Sequence, residues 1–137
     1  MVTIVRFVPL AIAGLLAAGA PALAAPSRTV TLAQEYSSGL HGTAVLTQHG
    51  NDLTVVIELA GRHAQEPYLA HIHGGACDQP HVRTAYQLAP VVQGRSTTTV
   101  PNLRLETLTH GTYSLGIHAR VANVTHHLAC GAIGTAP

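Results

Sequence analysis

The stretch Tyr68–Cys77, with the sequence YLAHIHGGAC, determines how the rest of the chain is interpreted. In a β-strand the side chains alternate between the two faces, so His71 and His73 point to one face and Ile72 points to the other. Two imidazoles that lie roughly 7 Å apart along one strand face can bind a single metal ion. The pattern His-x-His is short, and it also fits two histidines on a solvated strand face. The rest of the chain has to decide between these interpretations.

The N-terminus has the features of a secretory signal peptide. Residues 7–20 are almost wholly apolar, and Ala22-Leu23-Ala24 provides the small-x-small pattern that signal peptidase cleaves. The apolar run is shorter than the ~20 residues of a membrane span, and no cysteine lies near the cleavage site to accept a lipid anchor. We therefore expect a signal peptide over residues 1–25 and one domain over residues 26–137. The domain is expected to be secreted or periplasmic, with no membrane span after cleavage.

The predicted mature chain is nearly neutral and rich in histidine. It contains no lysine, and once Arg6 is removed with the signal peptide, six arginines balance six acidic residues. All ten histidines of the sequence lie in the mature part. A nearly neutral chain is not expected to bind nucleic acid, which favours a basic surface. The two cysteines, Cys77 and Cys130, are expected to form a disulfide because an exported chain folds in an oxidising compartment.

The mature chain has the pattern of an all-β protein. Apolar and polar residues alternate over 53–59 and again over 113–118, which is typical of half-buried antiparallel strands. Residues 103–108 fit either a single helical turn or an irregular loop, and residues 120–126 are expected to form a polar link. No segment is long and periodic enough for a core helix. Seven or eight short antiparallel strands separated by turns predict a Greek-key β-barrel or β-sandwich.

A third histidine joins the pair by the same alternation. In its strand, Ile117 is expected to point inward and His118 outward, as His71 and His73 do. If the two strands are neighbours, three imidazoles meet on the outer wall of the barrel. Three histidines without a carboxylate suit copper or zinc. Taken alone, His118 also fits an ordinary surface histidine.

Three segments of the chain resemble the copper/zinc superoxide dismutase superfamily, namely AHIH at residues 70–73, GIH at residues 116–118 and LACGAIG at residues 128–134. The resemblance extends from about residue 42 to residue 134. It implies an eight-stranded Greek-key barrel, in agreement with the strand pattern. It also implies an oxidoreductase activity in which copper alternates between Cu(II) and Cu(I) while superoxide is converted to oxygen and peroxide.

The resemblance also implies roles for individual residues. It makes His71, His73 and His118 the ligands of one copper ion. It pairs Cys77 with Cys130, which joins the loop after the histidine pair to the LACG segment.

The chain departs from the family pattern at two places. Pro80-His81 is the candidate for the remaining copper ligand or a proton relay, and the segment after it is too short for the family's zinc loop, so zinc is not expected. His127 stands where the family has an arginine that attracts and orients superoxide, and Arg83 or Arg120 are alternatives for that role. We therefore expect any dismutation to be of reduced efficiency, with His127 in the place of the arginine.

Two other functions are compatible with the same residues. The three-histidine site can store or carry copper without turnover. A second resemblance, to chordin-type domains, rests on AHIHG at residues 70–74 and LAQE at residues 32–35, and it implies a metal-free structural domain of the cell envelope. The expected partners are superoxide or a copper ion, and the sequence does not determine the oligomeric state.

Overall fold

The computed structural model describes residues 18–79 and 83–135, together with Val2 and Gly14. Most of the predicted signal peptide, and His81, lie outside the described residues. The elements follow in the order β1 (Ser27–Gln34), β2 (Leu40–His49), β3 (Asp52–Gly61), β4 (Leu69–Gly74), β5 (Arg83–Gln87), β6 (Arg95–Val100), α1 (Leu105–His110), β7 (Tyr113–Val121) and β8 (Val124–Gly134). Of the two alternatives for residues 103–108, the structure has the helical turn, because the short helix α1 begins at Leu105. None of the helices in the described ranges is long and apolar enough to cross a membrane.

The eight strands form one antiparallel sheet that curves into a nearly closed barrel, with the order β5-β4-β7-β8-β1-β2-β3-β6. Strands β5 and β6 lie at the two edges of the sheet, and the segment that joins them along the chain makes hydrogen bonds to β6. The Ala89 N–H donates to Oγ1 of Thr98, and the Ser96 hydroxyl donates to the Ala89 carbonyl. β3 pairs with β6 and β4 pairs with β7, so chain connections cross the barrel in the manner of a Greek key. The prediction of an all-β barrel of antiparallel strands is confirmed.

The apolar face of each strand fills the barrel interior. Leu53, Val55 and Ile57 of β3 are fully buried, as the alternation predicted, and so are Ile72 of β4 and Leu115 of β7. Burying an aliphatic side chain of this size contributes about 1.5–3 kcal/mol relative to leaving it in water. Because Ile72 is anchored in the core, its two neighbours in β4 are held on the opposite face of the strand.

The hairpin of β7 and β8 is longer than the sequence predicted. The polar link expected over residues 120–126 is wrong, because both strands continue through it and only Ala122 and Asn123 join them. These two residues have positive φ angles of 47° and 66°, which is typical of a two-residue type I′ turn. The segment is polar because this end of both strands is exposed. The extended pairing places His127 directly opposite His118.

Cys77 and Cys130 form a disulfide with a Cα–Cα distance of 5.9 Å, so this prediction is confirmed. The bridge holds the segment after β4 against β8. Cys130 pairs with Gly116 across β8 and β7. Because directly paired residues share a face of the sheet, the bridge lies on the same face as Gly116.

Candidate metal centre

Three histidines from two neighbouring strands meet above a single glycine. β4 and β7 pair so that His71 lies opposite Gly116. His73 lies two residues further along β4, and His118 two residues further along β7, so all three histidines share one face. A Cβ atom at position 116 would lie 2.8 Å from Nε2 of His118 and 3.1 Å from Nε2 of His73. The rings therefore occupy the space that any larger residue at position 116 would fill.

The ring nitrogens of the three histidines converge. One nitrogen each from His71, His73 and His118 lies within 4.8 Å of the others. Nε2 of His73 and Nε2 of His118 are 2.9 Å apart, and the centroid of the His71 ring is 5.7 Å and 5.3 Å from the centroids of the other two. Imidazole nitrogens at these separations can act as ligands of one metal ion.

The centre is more enclosed than the sequence indicated. The three histidines lie on the face opposite to the core, as the strand alternation predicted, but this face is covered at the centre. His71 is half-buried, and His73 and His118 are only 6% and 1% exposed. On this side of the sheet the disulfide holds the segment after β4, in which Gly75 is itself buried. The rings also shield one another.

Burial keeps the three imidazoles neutral. Desolvation lowers the pKa of His71, and desolvation followed by the charges of His71 and His127 lowers the pKa of His73. The backbone of Arg83 acts on His73 in the opposite direction. Desolvation and then the charge of His127 lower the pKa of His118 to about 3. A neutral imidazole keeps the lone pair that a metal ion requires, so this site can take a cation at neutral pH without releasing protons from these rings.

The contact between His73 and His118 fits a bound metal. Two neutral imidazoles that face each other through Nε2 need one proton between these atoms, whereas a cation at the same place binds to both nitrogens without it. Nδ1 of each ring is buried and has no hydrogen-bond partner in the described part of the chain. With a cation on Nε2, each neutral ring carries its proton on Nδ1.

Of the other residues that the sequence singled out, the structure places only His127 next to this centre, among those it describes. His127 lies beside it, half-buried, with its ring centroid 4.5 Å from that of His118. Arg83 and Arg120, the alternatives for orienting an anion, have exposed side chains. His81 is not among the described residues, so its proposed role as a ligand or proton relay stays a prediction.

A carboxylate beside His127 was not anticipated from the sequence. Glu35 follows β1 and lines two clefts together with His127, with volumes of about 420 Å³ and 190 Å³. Asp78, next to the disulfide, lines the smaller cleft. Oε2 of Glu35 is buried and has no hydrogen-bond partner within residues 18–79 and 83–135. No local sequence pattern connects positions this far apart in the chain.

The variant Gly116→Ala tests whether the space above the glycine belongs to the metal centre. The new methyl group would collide with the ring nitrogens of His118 and His73. These are the far ends of side chains, so the rings can move and the fold should survive. We expect the affinity of the centre for a divalent metal ion to fall by about 10–100-fold, as for other residues that orient metal ligands. The matched control is Gly74→Ala, because an added Cβ there meets nothing within 4 Å, and its affinity should equal that of the wild type.

The pKa of His118 predicts that acid destabilises the metal-free protein. Its folded pKa of about 3 lies below the ordinary value of 6.5, so the unfolded chain takes up the proton first. The stability contributed by the neutral ring is complete above pH 6.5 and is lost progressively as the pH falls toward 3. From pH 7 to about pH 4.5 we expect a loss of roughly 2–3 kcal/mol from this group. Urea unfolding in the presence of a chelator measures it, and His118→Gln should flatten the dependence. An equally steep dependence in His118→Gln would contradict the assignment.

Comparisons of the chain with protein-family models, with curated proteins and with solved structures found no match. The function therefore has to be inferred from the histidine centre and its surroundings.

Proposed function

We propose that this chain is an exported protein that binds one copper ion through His71, His73 and His118. The observation that carries the proposal is the convergence of three neutral imidazoles over Gly116. The ligand set contains neither a carboxylate nor a thiolate. Imidazole nitrogen suits copper, zinc and nickel, whereas calcium and magnesium require oxygen ligands.

The general preference of nitrogen ligands favours copper among these metals. Nε2 of His73 and Nε2 of His118 are 2.9 Å apart, close enough for both to contact one ion. Copper binds nitrogen ligands more tightly than the other divalent first-row metals. The resemblance to the superoxide dismutase superfamily supports the same metal.

Export is part of this proposal. The disulfide between Cys77 and Cys130 supports it, because structural disulfides persist in oxidising compartments and are rare in the cytosol. The apolar segment at residues 7–20 is consistent with a signal peptide. Secretion or a periplasmic location therefore accounts for both features of the chain.

Superoxide dismutation is the second candidate function. The observation that favours it is the ligand set within residues 18–79 and 83–135, where three histidines converge, and a catalytic metal site with three protein ligands keeps a position for a small substrate. Copper at such a site supplies one-electron redox chemistry. His127, in the arginine's place by the resemblance, lines the cleft beside the centre, but Glu35 and Asp78 line the same cleft and repel anions. We therefore propose a low rate.

Metal analysis followed by a dismutation assay on the same sample tests both functions. Oxidised protein from the exporting compartment should contain one copper per chain and no zinc at a second site. If it also dismutates superoxide, removal of copper by a chelator should abolish the activity and reloading should restore it. Protein that contains copper but does not dismutate superoxide would support the copper-carrying function and refute dismutation. Protein that takes up no metal would refute the proposal and favour the metal-free structural domain.

A further inference from the structure

A β-bulge in β8 directs His127 toward the histidine centre. Ile117 pairs with Ala129, but His118 pairs with His127, so Leu128 is an extra residue in β8. Without this bulge, regular alternation would place Leu128 beside His118 and turn His127 toward the barrel interior. Bulges commonly re-aim a side chain next to a functional site.

The turn between β1 and β2 holds the bulge in place. The Glu35 N–H and the Ser38 hydroxyl both donate to the Leu128 carbonyl, at 2.8 Å and 2.6 Å. Tyr36 and Ser37, in the middle of this turn, have positive φ angles of 49° and 56°. This conformation is unfavourable for residues other than glycine and asparagine. The two hydrogen bonds to Leu128 therefore hold this turn, with Glu35, against the bulge.

His127 connects the histidine centre to the clefts that Glu35 lines. Its ring lies 4.5 Å from the His118 ring, centroid to centroid, and the same side chain lines both clefts. Oε2 of Glu35 accepts no hydrogen bond from the described residues, and Asp78 adds a second carboxylate. Carboxylate oxygen and imidazole nitrogen are both ligands for divalent metal ions. The His127 ring therefore lies between a cation in either cleft and the buried centre.

We propose that His127 is the transfer ligand through which the metal ion enters and leaves the three-histidine centre, and that Glu35 attracts the cation into the cleft. The inference rests on the proposed function, because it requires the centre to bind a metal ion. His71, His73 and His118 hold the ion, and His127 exchanges it with the cleft. A transfer ligand speeds loading and release alike, so it changes the rates far more than the equilibrium affinity.

Rates of copper exchange in the holoprotein test this proposal. Loading with Cu(II)–glycine is followed by stopped-flow visible absorption, and release is followed after addition of excess EDTA. We expect His127→Gln to slow loading and release by similar factors of about tenfold, so that the dissociation constant changes by much less than either rate. Glu35→Gln should slow loading by about three- to tenfold at low salt, and the difference should shrink at about 0.5 M sodium chloride because salt screens the attraction. The controls are His49→Gln and Glu106→Gln, which change exposed residues outside these clefts.

The outcomes separate this proposal from the proposed function. Wild-type rates in His127→Gln would overturn the transfer role. A loss of equilibrium affinity in His127→Gln as large as that in His118→Ala would also overturn it, since His127 would then be a permanent ligand. An unchanged loading rate in Glu35→Gln at low salt would overturn the part assigned to Glu35. A wild-type protein that binds no copper would instead refute the proposed function.

Discussion

Replacement of His118 by alanine is expected to lower copper affinity by at least about 100-fold, more than the loss that follows changes in residues that merely orient ligands. The reason is that His118 is almost completely buried and its Nε2 lies 2.9 Å from Nε2 of His73. His73→Ala should cause a loss of similar size. His71 is half-buried, so water can take its place, and His71→Ala should cause a smaller loss.

Competition against a chelator of known affinity measures these differences. The control is His49→Ala, which removes an exposed histidine at the end of β2. Because His118→Ala also leaves a cavity, His118→Gln serves as a second variant of closer size, and circular dichroism shows whether each variant is folded. Equal affinities in the folded variants and the wild type would mean that these histidines do not bind the metal.

Loss of the disulfide is expected to have the largest effect on stability. The double variant Cys77→Ser/Cys130→Ser should lower the free energy of unfolding by about 2–5 kcal/mol, the usual range for a native bridge in a small secreted domain. The cysteines are 53 positions apart, and the chain-entropy estimate for a loop of that length is about 4 kcal/mol. Urea unfolding of the oxidised wild type and the double variant measures the change, and the reduced wild type should behave like the variant. A difference below about 1 kcal/mol would contradict the structural role of the bridge.

The same double variant should also weaken copper binding. Cys130 lies opposite Gly116 in the sheet, and the bridge holds the segment after β4 on the face that carries the histidines. Its loss exposes the rings to water and lets them move. The loss of affinity should be smaller than that of His118→Ala, because all three ligands remain.

Much of the fold was predictable because strand alternation is a local property. The alternation over residues 53–59 predicted a half-buried strand, and Leu53, Val55 and Ile57, which share one face of it, are fully buried. The same two-residue period placed His71 and His73 on one face. The pairing of β4 with β7 then brings His118 to them, and the sequence could state this only as a condition, because strand order depends on contacts between distant segments.

The features that shape the site were not predictable, because each depends on such long-range contacts. The polar residues after His118 were interpreted as a link, whereas they are exposed ends of paired strands. The bulge at Leu128 is visible only in the register of β7 with β8, yet it decides which way His127 points. The approach of Glu35 to His127 follows from hydrogen bonds to the Leu128 carbonyl. The enclosure of the centre depends on where the disulfide lies in the folded sheet.

The copper content of the wild type and of the triple variant His71→Ala/His73→Ala/His118→Ala shows whether the three histidines form the copper site. Both proteins are loaded with copper in the presence of a competing ligand, separated from free metal and analysed for metal and protein. We predict one copper per chain in the wild type and none in the folded triple variant. A triple variant that retains one copper per chain, or a wild type that retains none, would contradict it.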